Sequence, residues 1–425
     1  MTAETARKPR HRILILFVLS LGCEAIYLLP YLRWTYYDQM LEAFQFTNTE
    51  LTTLGSIFGA VAMVCYFFGG PIADRFSPRK LMTISYALSG LGGFWFATYP
   101  GYIENVILYV LWGITTTLFM WNAMLRATRT LGSSEEQGRL FGFLEGIRGV
   151  FATAMSFLLV AVFAALGSSI AGLTGVIVTI SILCIVSAVL AWFLLSDEVT
   201  QGDESEKMRW RDIPTVLKNP AIWVLAIVIM SCYSMFSGLT YLTPYATDIL
   251  GISASAGAVI AVFRMYVCKI AGGPVGGFIA DKISVAKTLL IGFVLATVAV
   301  LALLVMPAST PVALVVAVIM VFAFSIMAMR GIYYATVDQV NIPVALTGTA
   351  MGIVSVIGFL PDVYFNAITG PILDAFPGIA GYQYIFAVMI GFGLLGIVFT
   401  VILMKIIKNN QKRKAAVAES GEQAK

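Results

Sequence analysis

Histidine is almost missing from this chain: His11 is the only one in 425 residues. That leaves little to build a histidine–cysteine metal site, or Ser-His or Cys-His catalysis. Cysteine is sparse as well. Cys23, Cys65, Cys184, Cys232 and Cys268 all fall inside apolar runs, with no CxxC spacing and no disulfide framework. Charge is scarce in the same way. Only 12% of residues are Asp, Glu, Lys or Arg, against roughly 25% in a soluble globular chain. The net charge of +4 is small and gives no footing for nucleic-acid binding. No metal and no cofactor are expected.

What the chain has instead is apolar length. It is 59% hydrophobic, and twelve long apolar runs stand out at approximately 13–32, 50–71, 81–99, 104–125, 140–166, 169–195, 220–248, 254–276, 286–306, 311–335, 346–368 and 381–404. Runs of about 18 or more apolar residues read as membrane-spanning helices. Lipid offers no hydrogen-bond partner, so spanning segments are helices or closed barrels. A barrel would alternate apolar and polar residues, and stretches such as AGLTGVIVTISILCIVSAVLAWFLL do not. The expected fold class is therefore an all-α polytopic membrane protein. The basic start MTAETARKPRHR resembles a signal peptide. Its apolar run contains Glu24 and lacks a small-residue cleavage site, so it is expected to be a retained first span.

Positive charge alternates between loops. Lys and Arg gather at the N-terminus (Arg7, Lys8, Arg10, Arg12), after the second run (Arg75, Arg79, Lys80), and after the fourth (Arg126, Arg129, Arg139). They return after the sixth (Lys207, Arg209, Arg211, Lys218), after the eighth (Lys282, Lys287), and in the tail from Lys405 to Lys414. The intervening loops hold almost none, with Arg33 the exception. By the positive-inside rule both termini are cytoplasmic. The longest polar stretch between runs, residues 196–219, separates six runs from six. The expected domains are thus a bundle over 1–195, a cytoplasmic linker over 196–219, and a second bundle over 220–425.

The two halves echo each other. GGPIADRFSPRK at Gly69–Lys80 returns as GGFIADKISVAK at Gly276–Lys287, offset 207. YLLPY at Tyr27–Tyr31 returns as YLTPY at Tyr241–Tyr245, and Gly142-x-x-x-Gly146 as Gly348-x-x-x-Gly352. Parallel repeats of this kind build a large group of transporters, with the substrate site near mid-membrane. On these residues the chain resembles the major facilitator superfamily. That family's hairpin signature, G-x-(L/I)-A-D-R-x-G-R-(R/K)-(R/K), is matched by Gly70, Ile72, Ala73, Asp74, Arg75, Arg79 and Lys80. Ser77 and Pro78 depart from it. The second copy keeps Gly277, Ile279, Ala280, Asp281 and Lys282. The stretch EEQGRLFGFLEGIRG is also similar to a branch of bacterial inner-membrane permeases for sugars or organic anions. The resemblance implies twelve transmembrane helices in two pseudo-symmetric six-helix bundles.

The hairpin chemistry divides into two roles. Glycine lets helices approach closely. A carboxylate at the membrane edge can bond a neighbouring helix N-terminus or an arginine across the loop. Gly70, Asp74, Arg75, Gly277, Asp281 and Lys282 are therefore expected to form a gating latch, with Arg129 and Arg139 as partners. Arg79 and Lys80 better fit a positive-inside anchor.

Seven ionisable residues lie inside apolar runs: Glu24, Glu145, Arg148, Arg264, Lys269, Arg330 and Asp362. Each costs at least about 2.5 kcal/mol in the membrane and so defaults to function. Arg148 and Arg264 are expected to grip an anion, since a guanidinium offers a planar fork for carboxylate, sulfonate or phosphate. Tyr27, Tyr31, Trp121, Asn122, Tyr241 and Arg330 complete the expected substrate-binding set. Glu24, with Glu145 and Asp362, is expected to couple transport to protons. Glu145 and Arg148, three apart on one helix, also fit a structural ion pair. Lys269 fits snorkelling. Gly358, Asp362 and Asn366 form an expected i, i+4, i+8 stripe.

The reading is a monomeric secondary transporter of the bacterial inner membrane, not an enzyme. Its expected partners are the lipid bilayer, protons and a small anionic solute. A drug or metabolite exporter of the same family is the main rival. The fifth run lacks proline and Arg126 sits at the end of the fourth run, which argues against it. A membrane-embedded enzyme or a sensor would need a metal cluster, a nucleophile–base pair or a soluble domain.

Overall fold

The computed structural model describes residues 9–129, 131, 137–195, 197, 213–307, 310–340 and 347–422. The side chains of 9–11, 67–75, 129, 137–139, 141–142, 145, 213, 337–339, 347–349, 351–352 and 413–422 lie outside that description. The first half runs α1 (Pro9–Leu28), α2 (Tyr37–Phe44), α3 (Asn48–Arg75), α4 (Pro78–Phe96), α5 (Tyr102–Gly113), α6 (Asn122–Arg129), α7 (Gln137–Ala165) and α8 (Ile170–Leu194). The second runs α9 (Ile213–Leu217), α10 (Pro220–Gly238), α11 (Leu242–Asp248), α12 (Ala254–Val262), α13 (Cys268–Ile283), α14 (Val285–Val305), α15 (Val312–Ile332), α16 (Thr347–Gly358), α17 (Pro361–Ala375) and α18 (Ile379–Glu422). Among the described residues there is no strand. Among the described residues, ten helices or broken helices are long and apolar enough to cross a membrane. The other two expected spans are α1, of 20 residues, and α4, of 19, each close to the roughly 30 Å of a bilayer core.

Several spans are interrupted, which apolar composition alone does not register. The fourth passes from α5 to α6 through a π-helical stretch, Ile114–Trp121. The eighth passes from α12 to α13 through another, Phe263–Val267. The two YL-x-PY repeats both sit at breaks. After α1 ends at Leu28, a 3₁₀ turn follows at Leu32–Trp34. After α10 ends, a 3₁₀ turn at Leu239–Tyr241 leads into α11, with Pro244 in its first turn. Proline lacks the donor a helix interior needs, so it is tolerated at these starts. The eleventh span breaks before Pro361. The expected Gly358–Asp362–Asn366 stripe therefore crosses a discontinuity and does not lie along one continuous helix.

The chain forms two compact units. The first is Met1–Gly202 together with Gly251–Val262 and Asn366–Asp374. Its centre holds Leu16, Leu19, Cys23, Met82, Tyr86, Met120, Met124 and Leu144. α4 and α8 approach so closely that a Cβ on Gly93 would lie 2.2 Å from Ser181 Oγ. The second unit is Asp203–Leu250, Phe263–Phe365 and Ala375–Lys425. There α13 meets α15 across Gly276, where a Cβ would come 2.6 Å from the Ala328 carbonyl oxygen. Neither unit is continuous in sequence.

The two hairpins share a device. Ser77 caps α4 by accepting from the Lys80 amide, and Ser284 caps α14 by accepting from the Lys287 amide. The offset is again 207. The serine that departs from the family signature is thus a helix cap.

Candidate functional site

In the first unit Glu24 and Arg148 neutralise each other. Arg148 Nε donates to Glu24 Oε1 at 2.7 Å, and both side chains are about seven-eighths buried, at 12% and 13% exposure. This bond joins α7 to α1. The Arg148 guanidinium also lies 5.6 Å from the Trp121 ring centroid, so the π-helical end of the fourth span supplies one wall. A charge-assisted, partly desolvated pair of this kind is strong only while both members are present. Arg148 thus bonds across to Glu24, and the Glu145 side chain, its expected partner, lies outside the described residues. Next to Trp121, the Asn122 amide nitrogen is buried without a hydrogen-bond partner among the described residues. The Tyr27 and Tyr31 rings stand 6.1 Å apart, and Tyr31 stacks on Trp34 at 4.1 Å.

In the second unit positive charge sits on aromatic faces. The Arg330 guanidinium lies 3.7 Å from the Phe236 centroid and 5.2 Å from that of Tyr233. Tyr333 stands beside it. Among the described residues Arg330 is in no ion pair. Cation–π contact holds such a group without neutralising it. The Tyr233 hydroxyl donates to Asp362 Oδ2 at 3.0 Å, so one tyrosine touches both the guanidinium and an expected coupling carboxylate. Around it, Ser234 bonds Tyr364 at 2.6 Å and Tyr334 bonds Ser355 at 3.0 Å. Arg264, in the π-helical stretch, is fully buried and donates to Thr243 Oγ1 at 2.8 Å. Tyr241 is fully buried with its ring 6.3 Å from Phe365. Lys269 is exposed.

The hairpin residues separate by role. The side chains of Asp74, Arg75, Arg129 and Arg139 lie outside the described residues, and so do the surroundings of Gly70. Arg79 donates to the Trp192 carbonyl and covers the Trp192 ring at 4.9 Å. Ser77 donates to Asp197 Oδ1 at 2.6 Å, and Lys80 approaches it at 3.8 Å. The Ser77 hydrogen bond, helped by Lys80 and Arg79, holds the Asp197 carboxyl below its usual range. In the second copy Asp281 and Lys282 are exposed, with Lys282 4.3 Å over the Phe278 ring. A Cβ on Gly277 would meet nothing within 4 Å, and the glycine in close contact is its neighbour Gly276.

Some buried groups escaped sequence reasoning. Arg33 looked like a stray loop charge, yet it is 2% exposed. Its Nη1 donates to the Pro30 carbonyl at 2.9 Å, and a Cβ on Gly55 would lie 2.5 Å from the guanidinium. Arg126 is 8% exposed. Tyr233 and Phe236, which seat Arg330, carried no signal beyond being aromatic residues three apart on one helix.

Residues 13–365 match the family model described as Major Facilitator Superfamily. The chain is 33% identical over 409 residues to the inner membrane protein YihN of Escherichia coli (strain K12), covering 94% of this chain and 97% of that protein. It is 31% identical over 408 residues to the inner membrane protein YqcE of the same organism, covering 93% and 96%. Among solved structures it resembles a bacterial homologue of the human lysosomal transporter Spinster, in an inward-facing and unoccupied conformation. The TM-score is 0.76 at 14% identity, over 95% of this chain and 98% of that one. A mutant of the nucleoside transporter NupG gives a TM-score of 0.73 at 11% identity, over 93% and 98%. At those identities the likeness is one of fold: two six-helix bundles.

Proposed function

The chain belongs to the major facilitator superfamily, a family of transporters rather than enzymes, and from that premise we propose that its cargo is a small organic anion or acidic sugar, taken up across the inner membrane together with protons. Movement of a small solute by alternating access comes with the family. The cargo class rests on the charges.

The observation that carries the reading is Arg330. Its guanidinium is seated on Phe236 and Tyr233 and is in no ion pair among the described residues. A planar fork on an aromatic face, with the Tyr333 hydroxyl beside it, suits a carboxylate, sulfonate or phosphate. The hydroxyls of Tyr233, Tyr333 and Tyr334 suit a polar, hydroxylated body beside that anion. The Trp121 ring and the buried Asn122 amide offer similar contacts in the first unit. Arg264, engaged with Thr243, supports the positive excess from the core.

Glu24 is the coupling carboxylate in this reading. It holds Arg148 at 2.7 Å, so protonation would release a guanidinium, and a change of charge at one atom would become a change of contact between α1 and α7. Asp362, joined to Arg330 through Tyr233, is the corresponding group in the second unit. The inner-membrane location follows the names of the two Escherichia coli relatives, and the protein works as a monomer with both termini cytoplasmic.

Calorimetric binding of purified protein to a panel of anionic and neutral solutes tests the cargo class. The best ligand should be anionic, and tight binding of neutral solutes alone would overturn the reading. Initial uptake in proteoliposomes should depend on external pH and should fall when an uncoupler collapses the proton gradient. A flat profile with no response to an uncoupler removes the proton.

A further inference from the structure

In the second unit α14 and α18 pack against each other in opposite directions. A Cβ at Gly396 would run into the Phe293 ring, and one at Gly393 into Thr297, so numbering rises along one helix as it falls along the other. On α14, Gly292 faces Met329 of α15. On α18, Phe392 stacks on Tyr364 of α17. At about 100° per residue, these neighbours lie to one side of the seam on each helix and leave its other side free.

The free side carries the same pattern twice. On α14, Lys287, Val294 and Leu301 are exposed and seven apart. On α18, Leu394, Val401 and Lys408 are exposed at the same spacing, with Lys405 one turn before Lys408. Seven residues are close to two helical turns, so each set forms one stripe. Because the helices run in opposite directions, both stripes open on one flank of the seam, and both carry lysine at the end where α14 begins. From the Phe293–Gly396 contact, Lys287 is six residues away and Lys405 nine. At 1.5 Å per residue their stems start within about 5 Å of one level.

Helix electrostatics does not account for these lysines. Lys287 stands in the first turn of α14, at the positive end of the helix dipole, where a cation is disfavoured and no acidic residue is present. Lys405 and Lys408 serve no helix C-terminus, because α18 runs on to Glu422. Neither α14 nor residues 379–412 of α18 contain Asp or Glu. Among the described residues none of the three lysines is in an ion pair, with Asp281 of the preceding hairpin or any other acid. The positive-inside rule asks for charge on one side of the membrane, not for lysine at the head of two adjoining apolar stripes.

We propose that the outer seam between α14 and α18 binds an anionic phospholipid from the leaflet on the hairpin side. Lys287, Lys405 and Lys408 hold its phosphate, and an acyl chain lies along Val294, Leu301, Leu394 and Val401. Each ammonium brings three donors to phosphate oxygens, and a basic cluster beside a span attracts anionic headgroups. The exposed stripes supply the apolar surface that a chain covers. A zwitterionic headgroup carries its own cation and gains less from the cluster. Neither cargo nor proton enters, so the test is independent of the proposed transport reaction.

The test is native mass spectrometry of the purified full chain, released from micelles holding equal amounts of phosphatidylglycerol and phosphatidylcholine. The parent should retain phosphatidylglycerol in preference to phosphatidylcholine, and Lys287→Gln with Lys405→Gln should cut that preference by about tenfold. Each single variant should cut it less. Lys412→Gln removes the same charge two turns beyond Lys405 and should leave it intact. Glycerol 3-phosphate, an anion without chains, should not displace the lipid. Equal retention of both lipids by the parent overturns the site, as does a preference that survives the double substitution. A loss in Lys412→Gln as large as in the seam variants also overturns it, because that reads diffuse attraction. Displacement by glycerol 3-phosphate does so too, because the chain then contributes nothing. If the double variant does not fold, the two single variants decide by the same criteria.

Discussion

Arg148, in the first unit, and Arg330, in the second, are held in opposite ways. In the first, Arg148 is matched by a carboxylate at 2.7 Å. In the second, Arg330 rests on two aromatic rings and is in no ion pair among the described residues. A matched pair is a structural load and a switch: removing one member leaves an uncompensated charge. A cation on aromatic faces keeps its hydrogen-bonding edge for something else. The difference teaches that arginines within membrane spans are not equivalent as ligand groups. Repeated architecture carries different chemistry in its two copies.

The largest effect expected from this contrast is at Glu24. Glu24→Gln removes the carboxylate that Arg148 Nε bonds and should destabilise the protein by about 3–5 kcal/mol, read as a lowered melting temperature. Glu24→Gln combined with Arg148→Met should recover much of that loss. A Gln variant as stable as the parent would break the comparison. Arg330→Ala should come next, weakening the best anionic ligand by about 100-fold, or about 2.7 kcal/mol, with little change in melting temperature. Calorimetry measures it, and unchanged affinity would return Arg330 to a packing role.

Smaller effects sharpen the same contrast at the hairpins. Gly276→Ala drives a Cβ against the Ala328 backbone and should cost about 1–3 kcal/mol. Gly277→Ala meets open space and should leave the melting temperature near the parent's. Equal shifts would contradict the packing. The smallest pair is opposite in sign. Ser284 caps α14 at φ 129°, whereas Ser77 caps α4 at φ −67°. Ser284→Gly should stabilise by about 1 kcal/mol, because relief of the strained φ outweighs a lost cap. Ser77→Gly has no strain to relieve and should destabilise slightly. Part of the Ser77 effect runs through Asp197, whose carboxyl is held low by that serine. A depressed carboxylate contributes stability above its unfolded pKa and loses it as pH falls through its folded pKa. The gap between Ser77→Gly and parent should therefore narrow at acid pH.

Much of this was legible from composition and repeat. The helical class, the spans and the two-fold echo follow from apolar run length and from matched motifs, because lipid removes every alternative for the backbone. The seven intramembrane charges were visible for the same reason: each is costly in hydrocarbon. The Thr47-x-x-Glu50 capping pattern was also there to be read. The partners were not. Glu145 looked like the mate of Arg148 because periodicity sees only three or four residues along one helix. Glu24, 124 residues away, is within hydrogen-bonding distance of it, and the Glu145 side chain lies outside the described residues. Phe236 beneath Arg330 had no signature, since an aromatic in an apolar span serves packing equally well.

By itself, then, the sequence determined that this chain crosses a membrane many times, as helices, in two related halves, with a few charges retained at a cost. Those are consequences of solvent: water and lipid sort residues whatever their neighbours. Only the tertiary structure decided which charge meets which. It decided that Asp374 lies on the start of α3, that α17 is a separate helix from α16, and that Gly276 rather than Gly277 is pressed against a backbone. These depend on distances of a few ångströms between segments far apart in the chain, set by how the helices pack.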